Sequence, residues 1–100
     1  MPIAEVSIVP IGTSTTSVSE YVARALRVLT KQEAVAYELT SMGTIIQGEL
    51  DDIFTAIKAM HESIFDEKVH RVYTRIVIDD RRDKLMSISE KVGSVQKKMR

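Results

Sequence analysis

Two strand patterns follow each other at residues 34–48, AVAYELTSMGTIIQG. In the first, Ala34–Thr40, apolar and polar residues alternate, as they do in a strand with one buried face. The second, Thr44–Gly48, follows after only a Met42-Gly43 turn. Strands this close in sequence pair in antiparallel fashion, so this stretch predicts a central hairpin.

Two further strand patterns flank the hairpin, at Ala4–Ile11 and at Val69–Asp79. Ile and Val together number 22 against five Leu, and such β-branched residues favour strands. In the last pattern Val72, Thr74 and Ile76 share one face with Ile78. The chain therefore supplies four strands in all.

Apolar residues at helical spacing predict one helix on each side of the hairpin and a third after the last strand. A capping-box spacing, Ser17 to Glu20, precedes the first helix. The three stripes are Val18, Val22, Ala25, Leu26 and Leu29, then Leu50, Ile53, Ile57, Met60 and Ile64, then Leu85, Ile88, Val92 and Val95.

The order of these elements predicts an α+β fold, the ferredoxin-like βαββαβ arrangement with a C-terminal helix added. Right-handed connections put both main helices on one face of a four-stranded antiparallel sheet. A chain of 100 residues is expected to form a single domain, 1–100, with a modest core.

Charge and composition exclude several classes of protein. Residues 1–83 hold nine basic and 13 acidic groups, and residues 84–100 hold five basic groups and one acidic group. The body is therefore acidic, which argues against a nucleic-acid surface, and no apolar run is long enough for a membrane span. The chain has no cysteine, so a cytoplasmic location is the expectation.

The sheet face opposite the helices is predicted to stay uncovered by the chain itself. It carries both charge signs and no lysine, and arginine and tyrosine are common in interfaces where lysine is rare. Either it is a solvated face, or two copies meet through it around a two-fold axis, which we favour. Its residues are Glu5, Ser7, Val9, Glu38, Thr40, Arg71, Tyr73, Arg75, Val77 and Asp79.

Few residues suggest catalysis or metal binding. The loop Gly12–Ser17 could hold an anion or a polar ligand edge at a helix N-terminus, or be only a capped polar loop. The cluster Asp79–Asp83 is more typical of Asp–Arg ion pairs than of a metal site. His61 begins a zincin-like motif that lacks its second histidine. We therefore expect no catalytic residue, no metal site and no cofactor.

Six segments of the chain carry a resemblance to a known family: Ser7–Thr13, Ser17–Ala23, Tyr37–Leu50, His61-Glu62, Arg71-Val72 and Ile78–Lys84. Together they resemble the YkoF-like thiamine-binding proteins, small ferredoxin-like proteins long catalogued as uncharacterised. Met-Gly-Thr and Asp-Asp-Arg-Arg are the most specific parts of the match. The resemblance implies non-enzymatic binding of thiamine or its hydroxymethylpyrimidine part by homodimers that pair into homotetramers.

The resemblance leads to a site hypothesis between the sheet edge, the Thr13–Ser19 loop and the Met-Gly-Thr turn. Glu38 or Glu49 would accept a hydrogen bond from the aminopyrimidine, Thr40 and Thr44 would bond ring heteroatoms, and Met42 would pack on the ring. A structural or regulatory oligomer with a different small-molecule or anion ligand is the alternative. The candidate residues are Thr13, Ser17, Ser19, Glu38, Thr40, Met42, Gly43, Thr44 and Glu49.

Overall fold

Four strands and three helices form the protein, as seen in a computed structural model that describes residues 1–14, 18–83 and 88–99. The strands form one antiparallel sheet in the order β2-β3-β1-β4, so β1 lies in the interior beside β3. The elements are β1 (Ile3–Ile11), α1 (Ser19–Leu29), β2 (Ala36–Thr40), β3 (Gly43–Gln47), α2 (Leu50–Ser63), β4 (Arg71–Asp79) and α3 (Ile88–Lys98). The predicted ferredoxin-like α+β fold is confirmed.

The strand register separates the two faces of the sheet as the alternation predicts. Val6 on β1 pairs with Thr44 on β3 and with Ile76 on β4, and these residues face the helices. Glu5, one residue earlier, therefore lies with its partners on the opposite face, because neighbouring strand residues point to opposite sides. We call that opposite side the open face.

The core lies between the sheet and the two packed helices α1 and α2. Branched aliphatic side chains fill it, since they pack well on a pleated surface. The apolar stripes predicted for both helices contribute to it. Its buried members are Ala4, Val6, Ala25, Leu29, Ile46, Ile53, Ala56, Ile57, Met60, Ile64 and Val69.

Element ends differ slightly from the sequence prediction. Helix α1 begins at Ser19 with Val18 at its N-cap and no side-chain cap, so the predicted capping box does not start the helix. Ser17, the first residue of that capping box, lies outside the described residues. In the hairpin the turn is Ser41-Met42, one residue earlier than expected, because Thr40 pairs directly with Gly43.

Helix α3 extends away from the rest of the molecule. The molecule measures 47 × 30 × 18 Å, and its radius of gyration of 14.9 Å exceeds the roughly 13 Å of a compact 100-residue domain. An ion pair from Lys91 to Asp79 joins α3 to the end of β4. Of the predicted apolar stripe, Val92 and Val95 are exposed, and Leu85 lies outside the described residues.

None of the helices in the described residues combines the length and the apolar character that a membrane crossing requires.

Asp66 organises the connection between α2 and β4. Its Oδ1 accepts hydrogen bonds from the backbone N–H groups of Lys68 and Val69, and its Oδ2 accepts one from Arg24 at 3.0 Å. These hydrogen bonds lower the pKa of Asp66 below its ordinary value of 3.8. The bond from the Lys68 N–H has the largest effect, and the bond from Arg24 has the next largest.

Asp66→Asn should make the free energy of unfolding depend less on pH in the acid range. A carboxyl whose pKa is lowered by folding stabilises the protein fully at pH values above its ordinary pKa. This contribution is lost as the pH falls through the lower pKa of the folded state. The variant should be less stable at pH 7 and should lose less stability than the parent between about pH 4 and pH 2. Urea unfolding across this range checks it, with the exposed neighbour Glu67→Gln as control. Parallel curves for the parent and Asp66→Asn would contradict the prediction.

Candidate functional site

A groove of about 790 Å³ opens between α1 and the hairpin end of the sheet. Helices α1 and α2 pack over the central strand β1 and leave the edge strand β2 largely uncovered. Leu39 therefore stays 54% exposed although it lies on the helix side of the sheet. The floor of the groove is formed by Val6, Ile8 and Thr44, and its walls include α1 and the turn at Ser41-Met42.

Thr44 is the most informative polar group in this groove. The residue is only 6% exposed, yet it lines the groove floor beside the apolar side chains of β1. Among the described residues no fully buried side-chain oxygen lacks a hydrogen-bond partner, so this hydroxyl, which bonds no described residue, is open to the groove. It is therefore placed to bond a molecule that enters the groove.

The hydroxyl of Thr40 is used mainly to hold the hairpin turn. It donates to the carbonyl oxygen of Gly43 at 2.7 Å and accepts from the Met42 N–H at 3.3 Å. Its only proton is therefore committed to the turn. Thr40 lies two residues after Glu38 on β2, so its side chain is on the same open face, and its predicted role as a ligand contact loses support.

Gly43 and Met42 shape the hairpin end of the groove in different ways. A Cβ atom at Gly43 would come within 2.9 Å of the Val6 carbonyl oxygen, so β3 can approach β1 only because this residue is glycine. Met42 is 81% exposed at the rim of the groove. Its flexible thioether is free to pack against a bound ring, as methionine often does at adaptable surfaces.

The structure brings five of the nine predicted site residues together in this groove: Ser19, Thr40, Met42, Gly43 and Thr44. Ser17 lies outside the described residues, and Thr13 does not line the groove.

Neither predicted acidic residue reaches the groove. Glu38 pairs with Ile45, which places it on the open face of the edge strand β2. Glu49 is the N-cap of α2 and follows the far end of β3, opposite the turn. Five residues of extended chain separate it from Thr44, and at about 3.3 Å per residue this is some 16 Å. Glu38 and Glu49 are thus kept apart from Thr44, which they were expected to assist.

Sequence reasoning missed the α1 wall of the groove. Tyr21, Val22 and Leu26 line it, and Arg24 holds the Tyr21 ring in place with its guanidinium 5.1 Å from the ring centroid. Val22 and Leu26 belong to the apolar stripe that the sequence assigned to the core. A helical stripe alone does not distinguish core packing from a ligand wall, because both need apolar side chains at the same spacing.

The acidic and basic cluster after β4 forms ion pairs, as expected. Arg81 bonds Asp83 at 2.7 Å, and Arg82 bonds Asp80 at 2.8 Å. The hydrogen bond from Arg82 lowers the pKa of Asp80, and the partner bond raises the pKa of Arg82. None of these four residues lines the groove.

His61 packs at the border of the core rather than in the groove. Its Nδ1 lies 2.6 Å from the Thr74 Oγ1, and its ring meets that of Phe65 edge to face. Across residues 1–14, 18–83 and 88–99, no group of three His, Cys, Asp or Glu is placed to hold a metal ion.

Fold and groove together define a small ferredoxin-like protein with a candidate ligand site beside its hairpin. The model of the thiamine-binding protein family matches residues 4–96, and the chain belongs to that family. This confirms the resemblance found in the sequence.

Relatives and solved structures agree with this assignment. The UPF0045 protein YqgV of Bacillus subtilis is 50% identical over 100 residues, covering 97% of this chain and 96% of its own. The hypothetical protein MJ1052 of Methanocaldococcus jannaschii has a similar crystal structure, with a TM-score of 0.87, 38% identity and 95% coverage of both chains.

A Thermotoga maritima structure, named as a candidate thiamine biosynthesis or salvage protein, has a TM-score of 0.77 and covers 94% of this chain and 97% of its own. At 20% identity, that likeness shows the shared fold alone.

Proposed function

We propose that the protein binds thiamine, or the hydroxymethylpyrimidine part of thiamine, in the groove beside the hairpin. The observation that carries this proposal is Thr44, a mostly buried residue on the groove floor whose hydroxyl is open to the groove. Membership of the thiamine-binding protein family supports the class of ligand.

The chemistry of the groove suits an aminopyrimidine ring. Apolar side chains of β1 and α1 offer a surface on which a flat ring can be removed from water. The Thr44 hydroxyl would bond a ring nitrogen or the exocyclic amine. Met42 would cover the ring from the rim, since its side chain is exposed there.

The proposed function is binding of the ligand without catalysis. Catalysis by a hydroxyl needs a base beside it and a cavity in which the substrate meets both groups. The close His61–Thr74 pair joins a helix to the sheet, and neither residue lines the groove. We place the protein in the cytoplasm, as its composition led us to expect.

Replacing Thr44 by valine should weaken binding and stabilise the free protein. Valine keeps the shape but removes the hydroxyl, so the affinity for hydroxymethylpyrimidine should fall about tenfold. Because the methyl group that replaces the hydroxyl lies beside apolar side chains of β1, the unfolding free energy of the free protein should rise by up to about 1 kcal/mol. Calorimetric titration and urea unfolding measure the two effects.

Thr44→Ser is the control, because it keeps the hydroxyl and should retain binding within about threefold of the parent. Unchanged affinity in Thr44→Val would remove Thr44 from the site. Absence of heat with both thiamine and hydroxymethylpyrimidine in the unmodified protein would overturn the proposed function.

Self-association through the open face completes the proposal. Cross-strand neighbours Val9 and Tyr73 lie on this face and both are exposed, as is Val77. Acidic and basic side chains, Glu5 and Arg75 among them, share this face, so it can match a second copy around a two-fold axis. We propose a homodimer formed by two open faces, and a homotetramer made of two such dimers.

A further inference from the structure

The position of helix α1 decides how wide the groove is, because α1 forms one wall and the central strands form the floor. Among the described residues, α1 packs chiefly against α2 and only slightly against the strand β1. The separation between α1 and the hairpin is therefore set mainly by the contact between the two helices.

Arg24 is a polar link in that contact between the helices. Its side chain is 26% exposed, and its Nη1 donates to the carbonyl oxygens of Ser63 and Ile64, each at 3.4 Å. The same atom donates to the carboxylate of Asp66 at 3.0 Å. The two carbonyl oxygens belong to the C-terminal end of α2, where a cation interacts favourably with the helix dipole. One guanidinium on α1 thus binds three acceptors at the end of α2 and in the loop after it.

The same guanidinium also contacts a residue of the groove wall. Its central carbon lies 5.1 Å from the centroid of the Tyr21 ring, within the range of a cation–π contact. Tyr21 lines the groove and precedes Arg24 by three residues, so both side chains lie on one face of α1. Glu20 adds little, because it is 79% exposed and lies 3.8 Å from Arg24. A series of contacts therefore joins the end of α2, through Arg24, to the groove wall at Tyr21.

We propose that Arg24 is a positioning residue of the groove, which sets the affinity for the ligand by fixing Tyr21 and the α1 wall against α2. This inference rests on the proposed function. Arg24 does not line the groove, so it would act through Tyr21 and make no contact with the ligand itself.

Near-UV circular dichroism of the free protein tests this positioning without any ligand. The chain has three tyrosines and no tryptophan, and Tyr21 is the least exposed of the three. Tyr21→Phe defines the contribution of that ring to the tyrosine band. Arg24→Met should lose at least about half of this contribution, with an unchanged far-UV spectrum, because the ring is no longer fixed. An unchanged tyrosine band in Arg24→Met would overturn the inference and leave the proposed function standing.

Calorimetric titration of the full chain with hydroxymethylpyrimidine tests whether Arg24 acts through Tyr21. Arg24→Met and Tyr21→Leu should each weaken binding about five- to tenfold, and the double variant should bind within about twofold of the weaker single variant. Losses that multiply in the double variant would overturn the inference, since Arg24 would then act independently of Tyr21.

Ile57→Val is the matched control for a general loss of stability. Ile57 is buried on α2 and does not line the groove. Its shortening should lower the thermal midpoint by about 5 °C and leave both the tyrosine band and the affinity as in the parent. Binding weakened in Ile57→Val as much as in Arg24→Met would reduce Arg24 to a stabilising residue and overturn the inference. No heat with hydroxymethylpyrimidine in the parent would overturn the proposed function, and with it the effect of Arg24 on affinity.

Discussion

Replacing Tyr73 and Val77 together by glutamate should leave the protein as monomers of 11.2 kDa, because it would disrupt the proposed dimer of open faces. Both side chains project from β4 on the open face and are 63% and 48% exposed. The double variant removes apolar contact area that a second copy would bury, and it gives each copy two more negative charges. Multi-angle light scattering at micromolar concentration measures the mass directly.

The effect should be large because the two changes act in the same direction. Val77 lies directly opposite Glu5 on β1, so its replacement places two carboxylates side by side in each subunit. In a two-fold dimer the introduced carboxylates of one subunit would lie near those of the other. Like charges placed together in an interface oppose association strongly. Loss of the Tyr73 ring, which the proposed interface would bury, removes a residue type that often dominates the energy of interfaces.

A matched control carries the same charge change elsewhere. Phe54 and Thr55 are exposed on α2, on the side of the sheet away from the open face. Replacing both by glutamate should leave the mass of the parent unchanged. A monomeric parent at micromolar concentration would contradict self-association altogether. An oligomeric Tyr73 and Val77 double variant would instead move the interface to another surface, with the exposed stripe of α3 as the next candidate.

The fold was predictable because local patterns agreed with one another along the whole chain. Alternation in the hairpin and in β4 placed each strand residue on its face, and the register of Val6 with Thr44 and Ile76 confirms that placement. The ends of elements were less predictable. The turn is one residue earlier than expected because hydrogen bonds from one side chain, Thr40, close it, and no periodicity reveals such bonds.

The candidate site was predictable in its location more than in its membership. The hairpin turn and the start of α1 do meet, because β1 leads into α1 at the same end of the sheet as that turn. Glu49 was grouped with Thr44 from closeness in sequence, but an extended strand carries five residues to its far end. The wall of α1 could not be separated from the core, since the same apolar stripe serves both.

Replacing Val22 by tryptophan should abolish ligand binding while the protein stays folded. Val22 is half-buried on α1 and lines the groove, so the larger ring would occupy space that the ligand needs. Because a flat ligand is held mainly by the surface it covers, the affinity should fall by about 100-fold or more, close to the detection limit of calorimetry. The chain has no tryptophan of its own, so fluorescence of the new ring also reports whether the groove excludes water.

Val28→Trp is the matched control for this variant. Val28 lies on the same helix and is also half-buried, but it does not line the groove. It should bind as the parent does, and comparable thermal midpoints in both variants would show that a lost affinity is not a lost fold. Normal binding by a folded Val22→Trp protein would place the ligand outside this groove. Loss of binding in Val22→Trp, together with the opposite shifts of affinity and stability in Thr44→Val, would locate the ligand between α1 and the hairpin, because both residues line this groove.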